Sequence, residues 1–389
     1  MDMSFEIPES QTNENQENNS FEVMKTPEIL IAREHGLELT SVLLKVRDSR
    51  YGDNESELSR EIVEHFIQNE VAQDLSINSD EIFTSIKAPG VDEESLYMLS
   101  LLYEHPERTD DIFETIKEHK NIDLLEIARI QAIFFRTLDA LKSSFYGTVI
   151  AGKMDAEAEK DIEIRKAQIE EIRTRFEKII NFFRPDEMTT KTKRVIFVPT
   201  NPILKRNSGR NFSLNEEQII ISHRENYSNQ DHEFMHGIIN PIVEKIILIL
   251  TNEQEAKILE MASGKLKEGY GELPFSLLCE ELVRTYNDVF KLGKRPESYE
   301  DFLDKISVLS DEQFREELKK NIGLKTRCEQ FGISSRNEML EMAREYFDSF
   351  EKNTLRELLF TLYEEYESRE EKTDENFEQF LLKNLKERI

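Results

Sequence analysis

The chain has 389 residues, with 79 acidic and 51 basic side chains and a formal net charge of -28. A surface this acidic repels phosphate backbones and anionic lipids, which argues against nucleic-acid and membrane binding. Cys279 and Cys328 are the only cysteines, too few for a disulfide framework and typical of a reducing compartment.

The first 25 residues are acidic, rich in Asn and Gln, and without the apolar core of a secretory signal. We predict that residues 1–25 form a disordered tail. The longest apolar run, 246–250, is far shorter than a membrane span. The sequence therefore predicts a soluble, cytoplasmic protein, and delivery by a signal-less secretion system is compatible with the same features.

Residues 26–185 carry mainly helical periodicity. Apolar residues recur at helical spacing within 58–71, 96–102 and 124–141. Residues 155–183 are dense in charge with one apolar stripe, which predicts a long, half-exposed helix. We predict a helical N-terminal domain over 26–185.

Two short β-branched runs follow, at 194–199 and 218–222, and they are the only strands that the sequence predicts. The polar segment between them, which contains Gly209 and Asn211, is expected to be a loop. The predicted fold class is mainly α with a small β-sheet: an α+β core flanked by helical regions.

The sequence H-E-F-M-H stands at 232–236. His232 and His236 are four residues apart, so on a helix their imidazoles point the same way and can reach one metal ion. Glu233 would lie near the metal as a general base for a bound water. The alternative is two unrelated histidines on one exposed turn.

The limits of this helix are predicted from its flanking residues. Ser228 and Asp231 read as a capping box that starts the helix just before the first histidine. Pro241 is expected to kink or end it five residues after the second. Asn240 could either hydrogen-bond within the site or cap the helix end.

A catalytic zinc ion usually has three protein ligands and one open position. The third histidine of the longer H-E-x-x-H-x-x-G-x-x-H pattern is missing, so a downstream carboxylate is expected. Glu280 and Glu281 lie side by side in an apolar helix, where a carboxylate is costly unless its charge is compensated. We predict Glu280 as the ligand, braced by Arg284. The alternatives are Glu281 as the ligand, or a simple surface pair between Glu280 and Arg284.

Segments 232–241 (H-E-F-M-H-G-I-I-N-P) and 280–284 (E-E-L-V-R) resemble the H-E-F-x-H-x-x-x-N-P and E-x-x-V-R elements of a family of uncharacterised bacterial proteins considered to be zinc metallopeptidases. The resemblance covers about residues 36–290 and is specific at these two motifs. It implies a glutamate-type, gluzincin-like zincin, with a zincin-like α+β core. In zinc peptidases of this type a small sheet precedes the metal-binding helix, and its edge strand pairs with the substrate backbone. The implied site has one zinc ion, with His232, His236 and Glu280 as ligands and Glu233 as base. The N-E-x-x-x-E and G-x-x-N-E elements of better-known members are missing, so the resemblance implies no substrate.

The oxyanion formed during hydrolysis requires a further hydrogen-bond donor. Tyr270, which lies between two glycines in a loop, is the preferred residue for this role. The other candidates are His223, Tyr227, Tyr286 and Arg284.

The chain after Thr251 is predicted to be helical. Three helix starts are indicated by capping pairs: Thr251 with Gln254, Ser310 with Gln313, and Ser335 with Glu338. We predict a metal-binding core over 186–295 and a C-terminal helical region over 296–389. That last region would be either a helical cap or a partner-binding module.

The patterns together predict a zinc-dependent metallopeptidase that acts on peptides or proteins. Two alternatives stay open: a helical interaction protein that retains a metal site without catalysis, and a zinc hydrolase with a non-peptide substrate. The sequence leaves the oligomeric state and the cleavage specificity open.

Overall fold

The computed structural model describes residues 23–47, 61, 93–120, 122–145, 149–198, 209–222, 227–263, 267, 273–290, 299–320, 324, 328, 333, 335–351, 353–369 and 375–389. These residues are mostly helical, and they include one four-stranded mixed sheet. The predicted fold class, mainly α with a small β-sheet, is confirmed.

The sheet is built from β1 (Glu28–Ile31), β2 (Arg194–Val198), β3 (Gly209–Leu214) and β4 (Glu217–Ser222), in the order β1-β2-β4-β3. Strands β1, β2 and β4 are parallel, and β3 pairs antiparallel with β4. The two predicted strands are confirmed as β2 and β4.

The prediction of a loop around Gly209 and Asn211 was wrong, because both residues belong to β3. Phe212 and Leu214 alternate with polar residues and are buried, so the strand has one apolar face. Strand β1 was also missed, because its only strand neighbour in the described sheet is β2, far along the sequence.

Apolar side chains cover both faces of the sheet. One face carries Val195, Phe197 and Ile220, which belong to a core shared with the helix of the H-E-F-M-H motif. The other face packs on the N-terminal helices through Val198, Phe212, Leu214, Ile219 and Ile221.

The N-terminal helices form that second core. They are α1 (His35–Arg47), α2 (Glu93–Leu101), α3 (Thr109–Lys120), α4 (Leu124–Phe145) and α5 (Val149–Phe183), with a 3-10 turn at Pro106–Arg108. The apolar positions predicted at helical spacing within 96–102 and 124–141 are buried there, except Leu124, which is exposed. Those within 58–71 lie outside the described residues.

The second half of the chain adds the remaining helices. They are α6 (Glu187–Thr190), α7 (Tyr227–Ile249), α8 (Asn252–Met261), α9 (Pro274–Arg284), α10 (Tyr299–Ser307), α11 (Asp311–Lys320), α12 (Arg336–Glu351), α13 (Thr354–Ser368) and α14 (Phe377–Arg388), with a π-helical segment at Thr285–Phe290 after α9. Within the described part of the chain, none of the helices has both the length and the apolar character that a bilayer crossing requires.

Helix α7 begins earlier than the sequence predicted, and of the two alternatives at Pro241, a kink or an end, the end was wrong. It begins at Tyr227, before the expected capping position, and it continues through Pro241 to Ile249. A proline inside a helix costs about 3 kcal/mol. Ile242, Val243 and Ile246 are fully buried beyond it, and each contributes about 1.5–3 kcal/mol by burial, which outweighs that cost.

The core around α7 also contains residues of α5, α9, α13 and α14, among them Phe176, Leu282, Tyr363 and Leu381. Helices α10, α11 and α12 form a separate cluster around Phe302. The C-terminal region therefore contributes to two different cores. The division of the chain at residues 185 and 295 stays a prediction.

Candidate metal centre

Helix α7 presents His232 and His236 on one side, one turn apart. Their Nε2 atoms are 3.1 Å apart, and the side chains are 15 % and 9 % exposed. Ile238, Ile239 and Ile242, further along the same helix, are buried in the core. These apolar residues fix the helix in the core, and the two imidazoles stay at its edge.

Glu280 reaches the histidine pair from α9. Its Oε1 lies 3.5 Å from Nε2 of His236, and its Oε2 lies 3.7 Å from Nε2 of His232. Four ligands at zinc bond lengths of about 2.0–2.1 Å are about 3.3 Å apart in a tetrahedron. The three side chains therefore have the donor atoms and the spacing of a zinc site, and they are the one such group found among the described residues.

Glu281 points away from the histidines. Its carboxylate is fully buried and accepts hydrogen bonds from Asn353 and Arg356. Glu280 also accepts a hydrogen bond of 2.9 Å from Nε of Arg284. Both contacts predicted for Glu280 are therefore present: it pairs with Arg284, and it faces the two histidines.

Asn240 orients the second histidine. Nδ1 of His236 lies 3.1 Å from Oδ1 of Asn240, so the ring nitrogen donates and the amide oxygen accepts. A proton on Nδ1 leaves the Nε2 lone pair directed at Glu280 and His232, as a ligand requires. Of the two alternatives for Asn240, the structure shows the hydrogen bond within the site, since α7 does not end there.

Glu233 lies on the adjacent face of α7, and a residue of β3 binds its carboxylate. Nδ2 of Asn211 donates to Oε2 of Glu233 over 2.6 Å. A Cβ added at Gly209 would lie 2.5 Å from Oε1 of the same carboxylate, so a side chain at this point of the strand would displace the carboxylate. Burial raises the pKa of Glu233, and the charge of His236 and the Asn211 hydrogen bond offset part of that rise.

Gln218 of β4 binds the backbone of the same turn. Its Nε2 donates to the carbonyl oxygen of Glu233 over 2.8 Å. A Cβ added at Gly237 would lie 2.6 Å from Oε1 of Gln218, so α7 and the sheet approach closely here. The sequence did not predict that the site is supported by Asn211, Gly209, Gln218 and Gly237. Their contacts depend on how the sheet packs against α7.

Helix α5 holds the beginning of α7. Nε of Arg175 donates to Oδ1 of Asp231 and its Nη2 to Oε1 of Gln230, each over 2.9 Å. The Arg175 guanidinium also lies 4.6 Å from the ring centre of Tyr227, whose hydroxyl accepts a hydrogen bond from Gln168. Asp231, the residue before the first histidine, is thus fixed by an ion pair.

The charges at the site are strongly coupled. Burial lowers the pKa of His232 to about 3, and the charge of His236 adds to this effect. Burial also lowers the pKa of His236, but the hydrogen bond and charge of Glu280 outweigh it and place that pKa above its usual value. The pKa of Glu280, which burial would raise, is held well below its usual value by His236. His236 and Glu280 therefore each stabilise the charged form of the other.

Of the proposed oxyanion donors, Arg284 lies at the site through its hydrogen bond to Glu280, and Tyr227 contacts Gln168 and Arg175 of α5. Tyr270 and His223 lie outside the described residues. Tyr286 is buried against the rings of Phe182 and Phe183, so it faces the core. The role of Tyr270 stays a prediction.

Two imidazole nitrogens and a carboxylate oxygen form a donor set that suits zinc, and a neighbouring glutamate could act as a base. Comparisons of the chain with protein-family models, with curated proteins and with solved structures gave no match. The argument for a function therefore depends on the geometry of the site, and the family resemblance stays a prediction.

Proposed function

We propose that the chain is a zinc-dependent metallopeptidase. One observation carries the proposal: the ligand atoms of His232, His236 and Glu280 all lie within 4.8 Å of one another, and Glu233 stands beside them on the same helix. Two histidines and a glutamate are the ligand set of known catalytic zinc sites with an open fourth position. A zinc ion bound there would lower the pKa of its water towards about 7 and polarise a carbonyl group.

Glu233 is the general base in this proposal. Asn211 donates to its Oε2, so we assign the transferred proton to Oε1. The base would take that proton from the attacking water and pass it to the leaving amine nitrogen. The amide hydrogen bond stabilises the carboxylate form that a base requires.

The position of β3 supports a peptide substrate. Within the described sheet, β3 is an edge strand, with β4 as its one strand neighbour, and its Asn211 contacts the proposed base. An extended peptide could add to this edge by backbone pairing, which would place a peptide carbonyl near Glu233. A non-peptide substrate would have no use for such an edge.

The test is digestion of a peptide library by the zinc-loaded protein, with products identified by mass spectrometry. We expect cleavage by the wild type, and at least a 100-fold slower rate for Glu233→Gln at equal zinc content, because general-base catalysis contributes about 10²–10⁴-fold. Cleavage at the wild-type rate in Glu233→Gln would exclude this mechanism.

Two other results would favour the other functions. Hydrolysis of simple esters without peptide cleavage would favour a zinc hydrolase with another substrate. Zinc binding without any turnover would favour an interaction protein that retains the metal site.

A further inference from the structure

Glu281, the neighbour of the candidate ligand Glu280, has a fully buried carboxylate that the start of α13 binds at both oxygens. Nδ2 of Asn353 donates to Oε1 over 2.7 Å, and Nε of Arg356 donates to Oε2 over 2.9 Å. The side chains of Glu281 and Arg356 are 0 % and 11 % exposed. A carboxylate at this depth needs both its charge and its hydrogen bonds satisfied, so this pair is a strong link between α9 and α13.

Two further contacts accompany this link, one within α13 and one between α13 and α9. Oδ1 of Asn353 accepts a hydrogen bond from the backbone N–H of Arg356 over 3.1 Å, so the same side chain caps α13. The hydroxyl of Tyr363 donates to the carbonyl oxygen of Leu282 over 3.0 Å. Leu282 lies one turn before the π-helical segment Thr285–Phe290, where the regular bonding of the helix changes.

Helical geometry couples the two neighbouring glutamates. Successive residues of a helix point about 100° apart, so α9 directs Glu280 towards the histidines of α7 while it directs Glu281 towards α13. A glutamate carboxylate lies about 6 Å from its helix axis, so a rotation of α9 by about 10° would move it by about 1 Å. A functional ligand has to be held within about 0.5 Å.

We propose that Glu281, Arg356 and Asn353 are positioning residues for the metal site. Together they hold α9 at the rotation in which Glu280 meets the histidine pair. The C-terminal helix α13 is then part of the metal centre, although it contributes no ligand. This inference rests on the proposed metal site and adds to it the residues that set its affinity.

The test measures zinc affinity by competition with a chromogenic chelator, in the full-length chain. Arg356→Ala is expected to weaken zinc binding about tenfold or more, within the 10–100-fold range of changes at groups that orient ligands. It should also shift the visible absorption spectrum of the cobalt-substituted protein, which reports ligand geometry. Arg356→Lys, which keeps a cation at this position, is expected to recover most of the affinity.

Arg336→Ala is the matched control. Arg336 is also partly buried, at 29 % exposure, and it binds Asp311 and the carbonyl oxygens of Ile306 and Leu309 in the separate cluster of α10, α11 and α12. Its loss should destabilise that cluster and leave the zinc affinity and the cobalt spectrum unchanged. An equal loss of affinity in this control would overturn the proposal, because the effect would then reflect general stability.

Two further results complete the test. If Arg356→Ala does not fold, Glu281→Gln, which keeps the side-chain volume, is measured in the same way with the same expected weakening. Wild-type affinity and spectrum in a folded variant would overturn the positioning role. Absence of zinc binding in the wild type would instead overturn the proposed function, so the two failures can be told apart.

Discussion

At the scale of single residues, the site depends on side chains that control charge and space around the ligands. His236 binds a proton more strongly than an ordinary histidine because Glu280 stands against it. Asn240 fixes which of its ring nitrogens carries a hydrogen. Both neighbours act on the one atom, Nε2, that a metal ion would bind.

The raised pKa of His236 sets the pH dependence of zinc binding. Below this pKa, the metal-free site holds a proton on His236 that zinc has to displace, so affinity is expected to fall about tenfold per pH unit. Above it the affinity becomes independent of this group. His232, with a pKa of about 3, adds nothing near neutral pH.

Calorimetric titration with zinc in buffers of different ionisation enthalpy checks this prediction. Release of up to one proton per zinc is expected, decreasing as the pH rises through the pKa of His236. A zinc affinity that does not change between pH 5.5 and about 8 would contradict the assigned coupling.

Gly209 provides a second test at this scale. A methyl group in Gly209→Ala would lie 2.5 Å from Oε1 of Glu233, so the base has to move. We expect zinc to be retained and peptide hydrolysis to fall by about 10²-fold, because small misplacements cost about this much.

The matched control is Gly152→Ala on helix α5, where an added Cβ meets nothing within 4 Å. It should leave hydrolysis unchanged and stabilise the helix by about 0.5–1 kcal/mol. Equal rates for the two alanine variants would show that the strand does not position the base.

At the scale of elements, three of the four helix starts predicted from capping residues are confirmed. Their hydrogen bonds are present at Thr251, Ser310 and Ser335, whereas α7 begins at Tyr227, before its predicted cap. Such a cap is a contact between residues three apart, so the sequence shows it directly.

Strand β3 and the passage of α7 through Pro241 could not be predicted in this way. The strand exists because it pairs with β4 and buries Phe212, and the helix continues because the core holds its far end. In the candidate site, likewise, the spacing of His232 and His236 in the sequence is enough to predict that the two imidazoles lie close together. The choice of Glu280 over Glu281 in the structure depends on how α9 packs between α7 and α13.

The contact between α5 and α7 gives a prediction at this scale. Asp231 is 1 % exposed and pairs with Arg175, so Arg175→Ala would leave a buried carboxylate without its cation. We expect a loss of about 3–5 kcal/mol in the free energy of unfolding, measured by urea denaturation.

The control is Lys193→Ala, which breaks the exposed pair with Glu216 and should leave the unfolding midpoint unchanged. If Arg175→Ala unfolds at the wild-type urea concentration, the ion pair does not hold α7 in place.

At the scale of the whole molecule, the sheet separates two cores, and the C-terminal helices close one of them. Leu355, Tyr363, Phe377 and Leu381 of α13 and α14 are fully buried in the core that supports α7 and α9. Removal of residues 353–389 would expose this surface, so we expect the shortened chain to lose cooperative unfolding.

Thermal unfolding followed by circular dichroism checks this prediction. A shortened chain with a sharp transition and wild-type zinc affinity would mean that the C-terminal helices form an accessory module. In that case the link between α9 and α13 would also have no part in the metal centre.

The most direct test of the account is the zinc content of the purified protein, measured by plasma mass spectrometry on the wild type and on Glu280→Ala. Glu244→Ala, which removes an exposed carboxylate from α7, is the control. The account predicts about one zinc per chain in the wild type and the control, and little in Glu280→Ala. A wild type that binds no zinc when zinc is supplied, or a Glu280→Ala variant that keeps it, would contradict the central claim.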